Sequence, residues 1–114
     1  MNVPEMDSIV EESIRKELKK PEGKLTKADL EKVTRLGLVS TKISDAGLKE
    51  LAKLKRLGLL YLSATQITDA GLKELTKIKQ LTELTLINTK VTKAGAAELQ
   101  EARPKCRIYS NAEK

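Results

Sequence analysis

The stretch that decides the fold runs from Leu57 to Leu75 and reads LGLLYLSATQITDAGLKEL. Related segments lie 24 residues before it and 24 residues after it. Apolar, small and hydroxyl residues keep this spacing, as in Leu36/Leu60/Leu84, Leu38/Leu62/Leu86, Thr41/Thr65/Thr89, Ile43/Ile67/Val91, Gly47/Gly71/Gly95 and Leu51/Leu75/Leu99. A fixed period of this length with leucines at constant positions indicates a solenoid of stacked coils.

Each copy predicts a strand, a turn, a helix and a return. Leu60 and Leu62 alternate as in a strand with one buried face. Thr68 is suited to cap a helix that carries Asp69 in its first turn, and we expect Asp69 to pair weakly with Lys73. Stacked copies would form a parallel sheet on one side and a layer of helices on the other. Because helices are wider than strands, we expect the sheet to lie on the concave side.

The segment before the repeats predicts a helical cap. Ser8–Glu11 has the pattern of a capping box for a helix that ends near Lys19, and Thr26–Asp29 predicts a second capping box for a short helix that ends near Val33. Their apolar residues would cover the open end of the first coil. A membrane-binding or partner-binding helix is the weaker alternative, because the apolar stripe is narrow and its flanks carry both charge signs. The apolar set consists of Ile14, Leu18, Leu25 and Leu30.

The third copy departs from the other two. Lys93 replaces Asp, and Ala96 and Ala102 replace larger aliphatic residues, so we expect a thinner last coil. Ile108 lies 24 residues after Leu84 and predicts a closing strand. Asn111–Lys114 is predicted to be a frayed tail.

The pattern L-x-x-L-x-L-x-x-T-x-I-[ST]-D-A-G-L-x-x-L resembles the leucine-rich repeat, in a bacterial variety with Thr at the ninth position. The segment EGKLTKADL within the cap resembles the helical N-terminal cap of internalin-type proteins. The resemblance implies an α/β fold: a short right-handed solenoid with a concave parallel sheet, convex helices and a helical cap. We predict a cap over residues 1–32, three repeats over 33–104, and a capping strand and tail over 105–114, in one structural domain. The three copies are Val33–Arg56, Leu57–Gln80 and Leu81–Pro104.

No enzymatic chemistry stands out in the sequence, and no cofactor or metal ligand set is predicted. The stacked hydroxyls of Thr41, Thr65 and Thr89 would need a base to act as nucleophiles, and the chain has no histidine. We expect them to bond backbone groups where the strands end. Cys106 is the only cysteine and is expected to be a small packing residue, partly exposed.

Composition favours a soluble protein of a reducing compartment. The chain has 114 residues, no apolar run of membrane-spanning length and no signal-peptide layout, so a cytoplasmic location is favoured and no membrane partner is expected. The net charge of +6 suggests nucleic acid as a partner. We consider that partner unlikely, because aromatic residues are few and Glu50, Glu74 and Glu98 lie beside the lysines.

The solvent-facing strand positions are the candidate binding site. They combine apolar and tyrosine residues with a charged rim, which is the composition of a contact surface. The resemblance implies that the concave face binds a protein or a peptide. The alternative is a structural or idealised scaffold with no dedicated ligand, and the chain would then be a monomer or a weak homo-oligomer. The predicted contact residues are Arg35, Val39, Leu59, Tyr61, Glu83, Thr85, Ile87, Arg107 and Tyr109.

Overall fold

A computed structural model describes residues 6–111, so the ends of the predicted cap and tail, 1–5 and 112–114, lie outside the described residues. Helices and strands alternate through the repeats as the sequence predicts. The elements are α1 (Ser8–Leu18), α2 (Lys27–Leu30), β1 (Arg35–Gly37), a 3-10 helix (Ala46–Lys53), β2 (Leu59–Tyr61), α3 (Asp69–Leu75), β3 (Glu83–Thr85), α4 (Lys93–Ala102) and β4 (Arg107–Tyr109).

The four strands form one parallel sheet in the order β1-β2-β3-β4. The register is one repeat per strand, since Leu36 pairs with Leu60, Leu60 with Leu84, and Leu84 with Ile108. The three leucines are fully buried, and Ile108 is partly buried against the same core. The predicted inward face and closing strand are therefore confirmed.

The first helix is capped by Asp7, so the predicted capping box at Ser8 is wrong. The Asp7 carboxylate accepts hydrogen bonds from the backbone N–H of Ile9 at 2.8 Å and of Val10 at 3.2 Å. A carboxylate is a stronger acceptor than a hydroxyl and suits the positive end of a helix. The helix covers the free edge of β1, where the Ser13 hydroxyl donates to the Gly37 carbonyl at 3.0 Å.

The second capping box, at Thr26 and Asp29, is confirmed, although α2 ends at Leu30 and not near Val33. Lys20 Nζ lies 2.7 Å from Asp29 Oδ2, the same oxygen that accepts from the Thr26 backbone N–H at 2.9 Å. The hydrogen bond from Lys20, followed by the backbone N–H of Thr26, lowers the pKa of Asp29 to about 2. The carboxylate therefore holds the loop between α1 and α2 as a charged group throughout the neutral and mildly acidic range.

Aspartates tie successive repeats together, so the predicted pairing of Asp69 with Lys73 is wrong. Asp45 accepts from the backbone N–H of Thr68 at 2.9 Å and from its hydroxyl at 2.5 Å. Asp69 makes the same two bonds to Thr92, at 2.8 and 2.5 Å. Each carboxylate bonds to the N-cap residue of the next repeat's helix, because that residue offers two hydrogen-bond donors. A lysine on the solvent side would offer only an exposed ion pair, which contributes little to stability.

Glycine in the next repeat makes room for each of these carboxylates. A Cβ atom on Gly95 would overlap the Asp69 carboxylate, and one on Gly71 would overlap Asp45. In the first repeat a Cβ on Gly47 would lie 2.6 Å from Ile43 Cδ1 and 3.1 Å from Oδ2 of Asp7 in the cap. Within each Asp-Ala-Gly motif, the aspartate accepts hydrogen bonds from the following repeat, and the glycine leaves space for the aspartate of the preceding repeat or, in the first repeat, for its neighbours.

The helices of the first and third repeats differ from the expected pattern. The first repeat forms a 3-10 helix, in which the Ser44 hydroxyl lies 3.4 Å from the Gly47 N–H, a weak cap. The third repeat has the longest of the three repeat helices, α4, capped by Thr92 at 3.0 Å. Its small residues do not shorten it, but Ala102 lines a cleft of about 480 Å³ between α3 and α4.

The threonine column bonds to the backbone, as the sequence predicts. Thr41, Thr65 and Thr89 each donate a hydroxyl hydrogen bond at 2.7 Å to the carbonyl of the residue three positions earlier. The residue before each threonine has a positive φ, which the sequence analysis did not predict: 60° at Ser40, 60° at Ala64 and 67° at Asn88. This left-handed backbone conformation turns the chain out of each strand. Of the three residues, only Asn88 is of a type that adopts the conformation readily.

Ala64→Gly is therefore expected to stabilise the protein by about 0.5–1 kcal/mol, because glycine relieves the strain that a Cβ atom causes at positive φ. Ala70→Gly is the matched control: this exposed alanine lies in α3, where glycine should cost about 0.5–1 kcal/mol. Urea denaturation of both variants measures the two effects. A loss of stability in Ala64→Gly would contradict the left-handed turn.

Two predictions about the C-terminal end are wrong. Cys106 is not partly exposed but buried, with 4% of its surface accessible, and burial is the main reason that the pKa of its thiol is raised. Asn111 does not belong to a frayed tail: its side chain accepts from the Asn88 N–H at 2.6 Å and donates to the Thr89 carbonyl at 3.0 Å. These bonds continue the repeat spacing beyond β4 and close the turn of the third repeat.

Candidate functional site

The strand register places the predicted contact residues on one side of the sheet, here called the outer sheet face. Two columns follow directly from the paired residues. The first column is Arg35, Leu59, Glu83 and Arg107, and the second is Gly37, Tyr61, Thr85 and Tyr109. A third column, Val39, Ser63 and Ile87, continues beyond the strand ends, where the Ser63 hydroxyl accepts from the Ile87 N–H at 3.2 Å.

The exposed large hydrophobic side chains of the described residues all lie on this face. Val39 and Ile87 each expose half of their surface, and Tyr109 exposes 46%. Leu59 and Tyr61 lie on the neighbouring strand β2 and are partly buried. The sequence predicts Leu59, Ile87 and both tyrosines as the apolar and aromatic part of this face, but how far each is exposed depends on the neighbouring side chains of the sheet.

Charged residues flank the apolar part of the outer sheet face. Arg35 and Arg107 are exposed, and the partly exposed Glu83 lies between them in the first column. A carboxylate of the cap, that of Glu17, lies 3.8 Å from Arg35 Nε. Both side chains of this pair are substantially exposed, so the pair is weak and leaves the guanidinium available to a partner.

Large and small residues alternate in the second column. A Cβ atom on Gly37 would meet nothing within 4 Å, so the surface is recessed there. Thr85 forms a second low point between Tyr61 and Tyr109. Since neighbouring strands lie about 4.8 Å apart, the two low points are separated by roughly 10 Å. The outer sheet face therefore has relief that an apolar partner can fill.

The side chains that the sequence offered as nucleophiles, three turn threonines and one cysteine, occupy structural positions within residues 6–111. The threonine hydroxyls of the turns are bonded to backbone carbonyls, and Cys106 is buried. No group of three His, Cys, Asp or Glu side chains within residues 6–111 is placed to hold a metal ion. No helix in that range has the length and apolar character needed to cross a membrane.

Comparison with known proteins agrees with this architecture. Internalin C2 of Listeria monocytogenes superposes with a TM-score of 0.63 at 26% sequence identity, over 82% of this chain and 41% of the internalin. The chain is a leucine-rich repeat protein of internalin-like fold. The predicted fold class is confirmed. No protein-family model matches the sequence, and no curated protein matches it.

Two further solved structures share the fold. Internalin F of Listeria monocytogenes has a TM-score of 0.60 at 21% identity, over 93% of this chain and 37% of that protein. A chain of the Mex67:Mtr2 subunits of Chaetomium has a TM-score of 0.62 at 22% identity, over 95% of this chain and 73% of its own length. The leucine-rich repeat chain described here thus spans about two fifths of the length of the two internalins.

Proposed function

We propose that this leucine-rich repeat chain is a non-catalytic interaction module that binds a protein or a peptide on its outer sheet face. One observation supports this proposal. Within residues 6–111, the exposed large hydrophobic side chains all lie on this face, and they are Val39, Ile87 and Tyr109. Contiguous apolar surface with a charged rim is typical of a contact site. The internalin-like fold supports a protein-interaction module in general.

The opposite side of the molecule supports the choice of face. Its repeat helices carry exposed Lys49, Lys73 and Lys77, and Glu50 and Glu74 are engaged by lysines three residues later at 2.7 and 3.2 Å. Such short-range pairs are ordinary for a solvated helix surface. The outer sheet face has the variety of residue types that specific recognition requires, since it carries apolar, aromatic and oppositely charged groups.

The relief of the face limits the shape of the partner. A partner that lies across the strands can place one apolar side chain at Gly37 and a second at Thr85, roughly 10 Å apart. A helix offers this separation between residues i and i+7, because seven residues rise about 10.5 Å. Arg35 and Arg107 would then favour acidic residues of the partner near its two ends.

The test is a double substitution on the exposed apolar positions, Ile87→Glu with Tyr109→Lys. The immobilised chain captures partners from an extract of the source organism, and the affinity of each purified partner is then measured by calorimetry. The substituted face should bind about 100-fold more weakly or worse, because a charge at a buried contact centre must be desolvated. The chain has two tyrosines and no tryptophan, so Tyr61 and Tyr109 also report contact by fluorescence with a tryptophan-free partner peptide.

The matched control is Ala52→Glu with Gln66→Lys, which introduces the same two charges at exposed positions away from the outer sheet face. Its affinity should stay within about twofold of the unsubstituted chain. Circular dichroism and light scattering check that both variants keep their fold and their mass. Equal affinity of all three chains, or equal loss in both variants, would contradict the proposed face.

A further inference from the structure

A second surface, separate from the outer sheet face, lies where the helices return to the strands. Residues 79–82 and 103–106 enclose a cleft of about 400 Å³ there. Three cationic residues, Lys79, Arg103 and Lys105, contribute to its lining, and no carboxylate does. None of the three forms an ion pair with a carboxylate of residues 6–111. No carboxylate oxygen of residues 6–111 therefore lies within 4 Å of these three cationic groups.

The repeat itself concentrates the charge. Lys55, Lys79 and Arg103 occupy the same position in successive copies, and the stacking of the solenoid brings Lys79 and Arg103 into the lining of one cleft. Like charges in one cleft repel each other, and an anion placed between them relieves the repulsion. On the opposite edge, where strands lead into helices, Asp45 and Asp69 lie in turns that also carry Lys42, Lys90 and Lys93.

Arg103 gives the cleft an oriented donor. One terminal nitrogen of its guanidinium, Nη2, donates to the Lys79 carbonyl. Its Nε is buried and has no hydrogen-bond partner among residues 6–111. A buried donor without a partner is uncommon in folded proteins. The neighbouring Gln80 and Thr82 side chains are already bonded, to the carbonyls of Leu54 and Gly58.

We propose that this cleft binds a phosphoryl group, carried either by a free phosphate ion or by a phosphorylated peptide. A phosphoryl group carries a charge of about −1.5 to −2 at neutral pH and offers three acceptor oxygens, one for each cationic side chain. Guanidinium donors match its geometry, and lysines add flexible point charges. The cleft lies outside the outer sheet face, so this binding does not depend on the function proposed above.

The test follows backbone amide resonances of the ¹⁵N-labelled chain during a titration with sodium phosphate at pH 7 and constant ionic strength. Saturable shifts confined to Lys79, Gln80, Lys105 and Cys106 are expected. A second arm compares a phosphoserine peptide with the same peptide lacking phosphate. Tighter binding of the phosphopeptide than of inorganic phosphate would assign the group to a peptide, and equal affinities would assign it to the free ion.

Lys105→Gln should weaken phosphate binding about fivefold, the upper end of what one exposed charge pair contributes. This exposed side chain makes no hydrogen bond to any of residues 6–111, so the variant should keep its fold, which a thermal melt checks. Lys90→Gln removes an equally exposed charge from the opposite edge and should leave the affinity unchanged. Shifts that do not saturate, or an equal loss in the two variants, would overturn the proposal in favour of general ionic attraction.

Discussion

Leu60→Ala is expected to lower the free energy of unfolding by about 2–5 kcal/mol. The Leu60 side chain has no accessible surface and lies in register between Leu36 and Leu84 at the centre of the parallel sheet. Its truncation removes apolar contacts to both neighbouring repeats and leaves a cavity that short strands held by flanking coils cannot close. Urea denaturation, with the midpoint and the slope fitted separately, measures the loss.

The adjacent residue provides the matched control. Leu59 belongs to the same strand but points to the outer sheet face, where it is only partly buried. Leu59→Ala should cost clearly less than Leu60→Ala, because part of the removed surface is already in contact with water and the space that it leaves opens to solvent. Similar losses in the two variants would show that the assignment of inward and outward faces along β2 is incorrect.

Gly95→Ala is expected to destabilise the protein by about 2–3 kcal/mol, although alanine normally favours a helix over glycine. The added methyl group would overlap the Asp69 carboxylate, whose atoms are the three nearest to that position. Asp69 would have to leave the backbone N–H and hydroxyl of Thr92, and two charge-assisted hydrogen bonds between repeats would be lost. Thermal and urea unfolding measure the loss.

The same substitution should change sign when the carboxylate is absent. In an Asp69→Ala background the space beside Gly95 is free, so Gly95→Ala should be neutral or should stabilise α4 by up to about 1 kcal/mol. The double-mutant cycle then gives the coupling between the two positions directly. An equal cost of Gly95→Ala in both backgrounds would show that the glycine is required for another reason, such as its backbone conformation.

The identity of the elements and their register could be predicted from sequence because the repeat fixes both. Leu36, Leu60 and Leu84 keep a constant spacing, and a stack of equal coils must bring them together. The capping box at Thr26 could be predicted for a similar reason: donor and acceptor lie three residues apart, and local geometry decides their contact. The resemblance of the repeat to leucine-rich repeats supplied the overall architecture.

Contacts between repeats could not be predicted in the same way. Asp69 has Lys73 one helical turn away, and local spacing alone favours that pair. The carboxylate bonds to Thr92 because stacking places two donors of the next repeat within reach. The first helix is capped by Asp7 and not by Ser8, and Asp7 Oδ2 would lie 3.1 Å from a Cβ on Gly47 of the first repeat, a proximity that only the folded chain creates.

The candidate site was predicted in part. The columns of Arg35, Tyr61 and their repeat equivalents follow from spacing, and the register agrees with them. The prominence of Val39, Ile87 and Tyr109 depends on how far neighbouring side chains cover each position, which no pattern along the chain records. The cationic cleft was missed because its residues lie in turns between elements, where the charge of one repeat meets that of the next.

The sequence by itself determined the repeat length, the inward leucines and the order of strand and helix. It also determined which strand positions form the outer sheet face. Each of these features depends on spacing within about one turn or one repeat. Only the tertiary structure decided the carboxylate bonds between repeats, the left-handed turns before the threonines, the burial of Cys106 and the graded exposure of the outer sheet face. These features depend on which atoms of one coil reach the next, and that distance is set by the packing of the whole stack.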